Sequence, residues 1–205
     1  MRDPFNILVA GVGGQGNLVC GRILAEATIQ QELRPVVCDT FGASRRGGGV
    51  LTHLRIGKSD WAPLIPAGEV DLLLGLEPLE TLRAALDLAG ERTIVIMSLS
   101  KISPVGVNIG NEEYPPLQKI MKVLEKECKK IYAFDTDSVL KDLGTNRVLN
   151  AFMLGTLSAV NESPYSQAVL RVAVERVLGK DMINIKAFDA GIREYQRTFK
   201  QSQNA

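Results

Sequence analysis

Short runs of apolar residues alternate along the chain with longer segments in which apolar positions recur every three or four residues. The runs predict buried β-strands, because a strand that is covered on both faces is apolar on both sides. They lie at residues 6–10, 35–38, 70–76, 93–97 and 131–134. The segment 50–56 instead alternates with a period of two, which predicts an edge strand or one arm of a hairpin.

The longer periodic segments predict helices, since a helix that packs on a sheet repeats its apolar face about every 3.6 residues. These segments cover residues 17–31, 117–130, 147–160, 165–178 and 184–199. Another helix is expected between Pro78, at its first position, and Gly90, just past its end. Residues 100–116 are rich in Pro, Gly, Asn and Ser and predict a long irregular loop, which in a compact domain tends to be functional or to face a partner.

The order of these elements indicates an α/β fold. Strand and helix alternate through most of the chain, which predicts a Rossmann-like, mostly parallel sheet with helices on both faces. The part of the chain from residue 147 onward is expected to be helical. No internal repeat and no linker divides the sequence, so we expect residues 1–205 to form a single domain.

Composition and charge exclude several classes of protein. Of the 205 residues, 45% are hydrophobic and 23% are charged, a balance that argues against intrinsic disorder. The 24 Lys and Arg residues against 23 Asp and Glu leave a net charge of +1, without the basic excess of a nucleic-acid binder. No apolar stretch approaches the roughly 18 residues of a membrane helix, and the first residues lead straight into a strand with no room for a signal peptide. We therefore expect a cytoplasmic protein with no nucleic-acid or membrane partner.

The cysteines offer no metal site. Cys20, Cys38 and Cys128 lie far apart in the sequence and form no Cys-x-x-Cys pair, and the chain has one histidine, His53. A structural zinc site takes four ligands, mostly Cys and His, and an iron–sulfur cluster usually takes four thiolates. We therefore expect reduced, mostly buried thiols and no bound metal, and we assign His53 no functional role.

A glycine-rich loop joins the first predicted strand to the first predicted helix. Residues 11–16 read Gly-Val-Gly-Gly-Gln-Gly and satisfy the pattern G-x-G-x-x-G. Glycines permit the tight turn and let a phosphate approach the backbone, while the helix N-terminus offers unpaired N–H groups to an anion. The candidates for contact with a cofactor or a partner are therefore Gly11, Gly13, Gly14, Gln15 and Gly16, with Gln15 as a hydrogen-bonding residue. The alternative is that the glycines only permit close packing of strand and helix.

The same loop also fits a dinucleotide site. Such a site requires an acidic residue about 20 positions after the glycine motif to bind a ribose hydroxyl. Asp39, at the end of the second predicted strand, lies at about that distance in the sequence. A stand-alone NAD-binding oxidoreductase, or a nucleotide-binding regulatory module, is therefore one interpretation. The contacted group could instead be coenzyme A or a cofactor held by another subunit.

A second glycine cluster follows the second predicted strand. It contains Arg45, Arg46, Gly47 and Gly48, and it belongs at the carboxyl end of the sheet, where open α/β proteins bind ligands. Two arginines among small residues can present guanidinium groups to a phosphate or a carboxylate. We expect this cluster to lie beside the first glycine loop, with Arg46 the stronger candidate; the alternative is a solvated loop without a specific role.

Together these motifs resemble the gamma-type domain of the 2-oxoacid:ferredoxin oxidoreductases. The matching segments keep the family's order and spacing over nearly the whole chain, and they include a sequence similar to its D-hydrophobic-E-P-L-E segment. They lie at residues 11–16, 46–48, 70–80, 150–155 and 184–191. Residues 102–115 are most similar to the beta subunit of indolepyruvate ferredoxin oxidoreductase, whereas residues 40–45 differ from the loop expected there.

The resemblance implies oxidative decarboxylation of a 2-oxoacid, such as indolepyruvate or another arylpyruvate, to an acyl-CoA, with ferredoxin as electron acceptor. Thiamine enzymes of this kind hold the diphosphate through Mg²⁺ with a Gly-Asp-Gly segment, which this sequence lacks, and the cysteine ligands of iron–sulfur clusters are missing too. The resemblance therefore implies a small subunit that binds none of these groups alone and is inactive alone. Thiamine diphosphate, Mg²⁺ and the clusters are expected in a large partner subunit, which also brings ferredoxin to the complex, and coenzyme A is a candidate co-substrate.

The contribution expected of this chain is positioning rather than chemistry. The two glycine loops would face the large subunit near its active site or the path of coenzyme A, shaping access and excluding water. No residue is a convincing nucleophile or general base, so no catalytic residue is assigned; Glu77 and Asp39 are expected to be exposed carboxylates that are solvated or cap helices. Without its partner, the isolated chain could form a homodimer through the glycine-loop face.

Overall fold

Six strands form one sheet in the computed structural model, which describes residues 2–42, 48–104, 113–179 and 181–200, the side chain of Lys200 excepted. The strand order across the sheet is β2-β3-β1-β4-β5-β6. The strands are β1 (Phe5–Val12), β2 (Arg34–Phe41), β3 (Gly49–Gly57), β4 (Leu72–Gly75), β5 (Ile94–Ser98) and β6 (Lys130–Phe134). Strands β1, β4, β5 and β6 are parallel neighbours, which confirms the predicted mostly parallel α/β sheet.

Strand β3 runs antiparallel to both of its neighbours, β2 and β1. The prediction of a hairpin arm is confirmed, whereas the alternative of an edge strand is wrong, because β3 lies inside the sheet and β2 forms the edge. The polar positions of β3 are buried and satisfied within the protein rather than by solvent. Arg55 Nε donates to Asn6 Oδ1 at 3.0 Å, and Thr52 Oγ1 donates to Asp39 Oδ1 at 2.5 Å.

Seven α-helices occur in the described ranges. They are α1 (Asn17–Ile29), α2 (Pro78–Leu88), α3 (Leu117–Glu127), α4 (Thr136–Asp142), α5 (Leu149–Ala159), α6 (Gln167–Leu178) and α7 (Met182–Tyr195). A 3-10 turn (Asn146–Val148) precedes α5, and a π-helical turn (Gln196–Lys200) continues α7. Helix α4 was not predicted, and the predicted helix 184–199 is divided between α7 and the π-helical turn. The described ends of the irregular segment, residues 99–104 and 113–116, contain neither helix nor strand.

The two faces of the sheet carry different helices. Along β1, Ile7 and Val9 point into a large apolar cluster with α1, α5, α6 and α7, while Leu8 and Ala10 point into a smaller one with α2 and α3. This alternation follows from the period of two in a strand. Both faces of the central strands are therefore covered, as the continuous apolar runs predicted.

Helix α5 is buried along its whole length, and it crosses α7 at two glycines. A Cβ built on Gly155 would lie 2.0 Å from the carbonyl oxygen of Phe188, and one built on Gly191 would lie 2.1 Å from that of Phe152. Neither glycine can therefore carry a side chain. Gly155 and Gly191, which belong to the family-like segments 150–155 and 184–191, thus have a packing role. Within the described residues, none of the helices is both long and apolar enough to cross a membrane.

Candidate functional site

The first glycine loop lies at the carboxyl end of β1, where the chain changes direction across the sheet. Helix α1 leads from β1 toward β3 and β2 on one side, while β4 pairs with β1 on the other side. In open α/β sheets the crevice at such a switch in strand order is the usual place for a ligand. The loop therefore occupies the position in this fold that is best suited to binding.

Two glycines of this loop adopt backbone conformations that other residues rarely take. Gly14 has φ +107° and Gly16 has φ +86°, and Gly16 is also the N-cap of α1, without a side chain to cap the helix. A Cβ on Gly16 would lie 2.2 Å from Nδ2 of Asn150, whereas a Cβ on Gly14 would meet nothing within 4 Å. Glycine is therefore required at residue 16, where the chain enters α1 against Asn150.

Both the oxygen and the nitrogen of the Gln15 side-chain amide form hydrogen bonds within the protein. Its Oε1 accepts a hydrogen bond from the backbone N–H of Val12 at 2.7 Å, and its Nε2 donates to the carbonyl of Leu76 at 3.0 Å. A Cβ on Gly11 would lie 2.9 Å from that Oε1. Gln15 thus joins the glycine loop to the end of β4, and the lack of a side chain at Gly11 leaves room for it.

Gly48, the described residue of the second glycine cluster, lies beside the first loop, as the place of the cluster after β2 predicted. The N–H of Gly13 donates to the carbonyl oxygen of Gly48 at 2.9 Å. Arg45, Arg46 and Gly47 lie outside the described residues.

A cleft of about 780 Å³ opens next to the first glycine loop. One wall consists of residues 100–102, which come directly after β5 in the chain. A second wall comes from α4 and the 3-10 turn before α5, and the floor includes the first residues of α5. Its lining includes Gly13, Gly16, Lys101, Asp137, Arg147 and Asn150. Lys101 and Arg147, set against the one carboxylate of Asp137, give the lining a net positive charge suited to an anionic group.

Lys101 and Arg147 were not predicted to be site residues. They follow the glycine loop by more than 80 and 130 positions, and no local motif marks either of them. Asn150 was noted only as part of a C-terminal motif. In the structure its Nδ2 donates to the carbonyl of Gly16 at 3.2 Å, while its Oδ1 has no partner in the described part of the chain although the residue is only 8% exposed. Asn150 therefore joins the first turn of α5 to the glycine loop.

Glu77 is fully buried, so the expectation of an exposed carboxylate is wrong, although the expected capping role is correct. Its Oε2 accepts the N–H of Glu80 at 2.8 Å as the N-cap of α2. Its Oε1 accepts from the hydroxyl of Tyr114 at 2.5 Å and from the N–H of Ile102 at 3.4 Å. Burial is tolerated because these donors and the positive end of α2 all meet the carboxylate.

Asp39 stands in β2 and accepts its hydrogen bond from Thr52 of β3. Because β3 lies between β2 and β1, Asp39 is two strand spacings, or about 10 Å, from the strand that carries the glycine loop. A dinucleotide site of the ordinary Rossmann type has those two strands adjacent. The structure therefore does not favour the NAD-binding interpretation.

Cys20, Cys128 and His53 are buried, whereas Cys38 is half-buried. Burial raises the pKa of Cys20 to about 12 and that of Cys128 to about 11, so both remain protonated thiols at neutral pH. The Nδ1 atom of His53 accepts the N–H of Ile65 at 3.3 Å, and burial lowers the pKa of His53 while the nearby Asp39 opposes that shift. Among the residues that the structure describes, no three or more His, Cys, Asp or Glu side chains come together to hold a metal ion.

Comparison with known families matches residues 6–194 to the pyruvate ferredoxin/flavodoxin oxidoreductases. The chain is 34% identical over 192 residues to the indolepyruvate oxidoreductase subunit IorB of Archaeoglobus fulgidus, a match that covers 93% of this chain and 94% of that protein. It is 35% identical over 189 residues to the protein of the same name from Methanothermobacter thermautotrophicus, with 91% of this chain and 95% of the relative covered.

Three solved structures share the fold. The gamma subunit of a keto/oxoacid ferredoxin oxidoreductase from Geobacter sulfurreducens superposes with a TM-score of 0.66 at 22% identity, covering 95% of this chain and 99% of that one. The pyruvate oxidoreductase subunit PORC of Thermotoga maritima gives 0.67 at 21% identity, with 95% and 97% covered. A 2-oxoglutarate:ferredoxin oxidoreductase from Magnetococcus marinus, solved with 2-oxoglutarate, coenzyme A and succinyl-CoA bound, gives 0.68 at 20% identity; 98% of this chain matches 32% of that chain.

Proposed function

The chain belongs to the pyruvate ferredoxin/flavodoxin oxidoreductase family, and from this premise we propose that it is the small subunit of a 2-oxoacid:ferredoxin oxidoreductase that acts on an arylpyruvate such as indolepyruvate. The reaction is oxidative decarboxylation of the 2-oxoacid to an acyl-CoA, with ferredoxin as the electron acceptor. The observation that carries the proposal is the likeness to the archaeal IorB subunits, which extends over more than nine tenths of both chains. We further propose that residues 1–205 form one domain.

In this proposal the decarboxylation chemistry resides in a large partner subunit. Thiamine diphosphate, when bound there, supplies the electron sink for the carbanion left by the loss of CO₂. This chain has no Gly-Asp-Gly segment for a magnesium-bound diphosphate and has three cysteines in total, of which Cys20 and Cys128 are buried. These residues do not fit the cofactors, so the small subunit acts by shaping the site rather than by holding them.

The cleft beside the glycine loop is the part of this chain that we assign to coenzyme A. The co-substrate carries phosphate groups, and Lys101 and Arg147 of the lining supply cations that bind phosphate. Binding in a cleft that the large subunit covers would orient the co-substrate and exclude water.

The two glycine loops form the face that we assign to the large subunit. The hydrogen bond between Gly13 and Gly48 supports this assignment, because it places the described end of the second cluster against the first loop. Arg46, and to a smaller extent Arg45, are proposed to contact the partner or the co-substrate from this face. Replacing Arg46 with Ala should lower the turnover of the complex while the fold remains intact.

Purification of the chain from its native host under mild conditions tests the proposed function. We expect it to co-elute with a larger protein, and we expect thiamine diphosphate, magnesium and iron in the co-eluting fraction. Dissociation of the complex should leave these groups with the larger protein. Recovery of the chain only as a free protein or a homodimer, from cells in which indolepyruvate oxidation is active, would contradict the proposal.

A further inference from the structure

One buried carboxylate connects helix α2 with the segment that forms a wall of the cleft. Glu77 begins α2, and its Oε2 accepts the N–H of Glu80 at 2.8 Å. Its Oε1 accepts the hydroxyl of Tyr114 at 2.5 Å and the N–H of Ile102 at 3.4 Å. Ser100, Lys101 and Ile102 line the same cleft as the glycine loop. The carboxylate therefore reaches from the framework of the sheet to the ligand-facing wall.

A helix cap alone does not call for a glutamate at this position. Caps are normally supplied by the short side chains of Ser, Thr, Asp or Asn, which place one oxygen near the first turn. Glu77 makes the same contact with one oxygen and has a second oxygen left, which lies beyond the helix and meets Tyr114 and Ile102. The longer side chain is thus used for the link to the wall.

The wall is fixed on both sides of Lys101. Before it, the N–H of Leu99 donates to the carbonyl of Phe134 at 2.9 Å, and the N–H of Ser100 donates to Oγ of Ser98 at 3.1 Å. After it, Ile102 is bound to Glu77.

The ring of Tyr114 connects this link directly to Lys101. The ammonium nitrogen of Lys101 lies 5.3 Å from the centre of the Tyr114 ring, within the range of a cation–π contact. Burial and the carboxylate of Glu77 raise the pKa of Tyr114, so its hydroxyl stays protonated and remains a donor at neutral pH. One carboxylate therefore controls the main chain at Ile102 and, through the ring, the position of a cation at the cleft.

We infer that Glu77 and Tyr114 are positioning residues that hold Lys101 and the Ser100–Ile102 wall in the place where the cleft receives its anionic ligand. The inference deepens the proposed function and rests on it for the identity of that ligand, coenzyme A. The link itself belongs to the isolated chain. Its loss should loosen the wall in the free subunit and weaken ligand binding in the complex, with little effect on the chemical step.

The first test uses the isolated chain and needs no activity. Trypsin cleaves after lysine, so the rate of cleavage at the Lys101–Ile102 bond reports how often the wall opens. Tyr114→Phe and Glu77→Ala should raise that rate about tenfold, while Glu77→Gln, which keeps an acceptor toward the tyrosine, should raise it less. The matched control is Tyr132→Phe, which removes another Tyr–Glu hydrogen bond, to Glu162, from outside the cleft.

The second test uses the complex with the large subunit. Tyr114→Phe should raise the KM for coenzyme A three- to tenfold and leave kcat within twofold, because a positioning residue acts on binding. Tyr132→Phe should leave both constants unchanged. A melting curve for each variant separates the local effect from global loss of stability.

The two tests give distinct answers for the inference and for the proposed function. An unchanged cleavage rate in Tyr114→Phe overturns the link, whatever the complex does. Faster cleavage with an unchanged KM in an active complex overturns the positioning role. If unsubstituted chain supports no coenzyme-A-dependent turnover with the large subunit, the proposed function fails and the ligand assigned here fails with it, while the cleavage result still decides whether Glu77 and Tyr114 hold the wall.

Discussion

The side-chain nitrogen of Asn150 lies 3.2 Å from the carbonyl oxygen of Gly16 and donates a hydrogen bond to it, although the two residues are 134 positions apart. The contact joins the first turn of the buried helix α5 to the N-cap of α1. It fixes the floor of the cleft relative to the glycine loop. Both residues are therefore expected to be sensitive to substitution, for different reasons.

Replacement of Gly16 with Ala should destabilise the protein by about 2–4 kcal/mol. The left-handed backbone conformation costs a residue other than glycine about 1–2 kcal/mol. The added Cβ would also lie 2.2 Å from Nδ2 of Asn150. Gly14→Ala is the matched control, because Gly14 has a positive φ but open space around its Cβ position. Urea unfolding should show that Gly14→Ala lowers the free energy of unfolding less than Gly16→Ala does, because only Gly16→Ala clashes with Asn150. Equal decreases for the two variants would mean that the contact with Asn150 is unimportant.

Asn150→Asp should impair both folding and ligand binding, because the residue is buried and its amide donates to Gly16. The carboxylate cannot donate to Gly16, and it places a negative charge at the floor of a cleft that we assign to a phosphate-bearing ligand. We expect the KM for coenzyme A in the complex to rise at least tenfold, with kcat within about threefold. Asn150→Ala removes the hydrogen bond without adding charge, and its KM should rise less. Equal effects of the two substitutions would contradict an anionic ligand at this position.

The stability of the folded chain should fall as the pH drops below about 6.5. Burial lowers the pKa of His53 from its ordinary value of 6.5, against the opposing attraction of Asp39. The unfolded chain therefore binds a proton at a higher pH than the folded chain does, so acidification favours unfolding. Protonation of Nδ1 would also remove the acceptor for the N–H of Ile65.

Urea unfolding between pH 5 and 7.5 measures this dependence. His53→Asn keeps an oxygen acceptor near the position of Nδ1 but does not titrate, so its stability should vary less over the same interval. The prediction is wrong if the variant and the unsubstituted chain lose stability in parallel.

The isolated chain should not bind NADH with micromolar affinity. Strand β3 separates Asp39 from the strand that carries the glycine loop, and the carboxylate is already hydrogen-bonded to Thr52. A fluorescence titration with NADH measures this directly. Saturable micromolar binding that Asp39→Ala abolishes would restore the stand-alone dehydrogenase interpretation.

Much of the framework could be predicted because its signals are local. The apolar run that ends in Gly11 and the helix that begins after Gly16 identify a strand, a turn and a helix within one short stretch of sequence. The capping role of Glu77 was also readable from the Pro that follows it. What these signals lack is information on which strands become neighbours.

The sequence-based predictions were wrong or incomplete where residues make their contacts with parts of the chain that are far away in the sequence. Alternation in residues 50–56 left open an edge strand, yet the strand lies inside the sheet and its Arg55 is paired with Asn6, 49 positions away, with both residues buried. Lys101 and Arg147 reach the cleft through the order of the strands and the packing of α5, which no sequence motif encodes.

The central claim is that this chain supports an oxidoreductase whose cofactors lie in another subunit. The most direct test titrates the purified chain into a fixed amount of the purified large subunit and measures ferredoxin reduction that depends on an arylpyruvate and on coenzyme A. We predict no turnover from either protein alone and a rate that rises until the two are present in a fixed ratio. Full activity of the large subunit without this chain, or oxidation of a substrate by this chain alone with a bound pyridine nucleotide, would contradict the account.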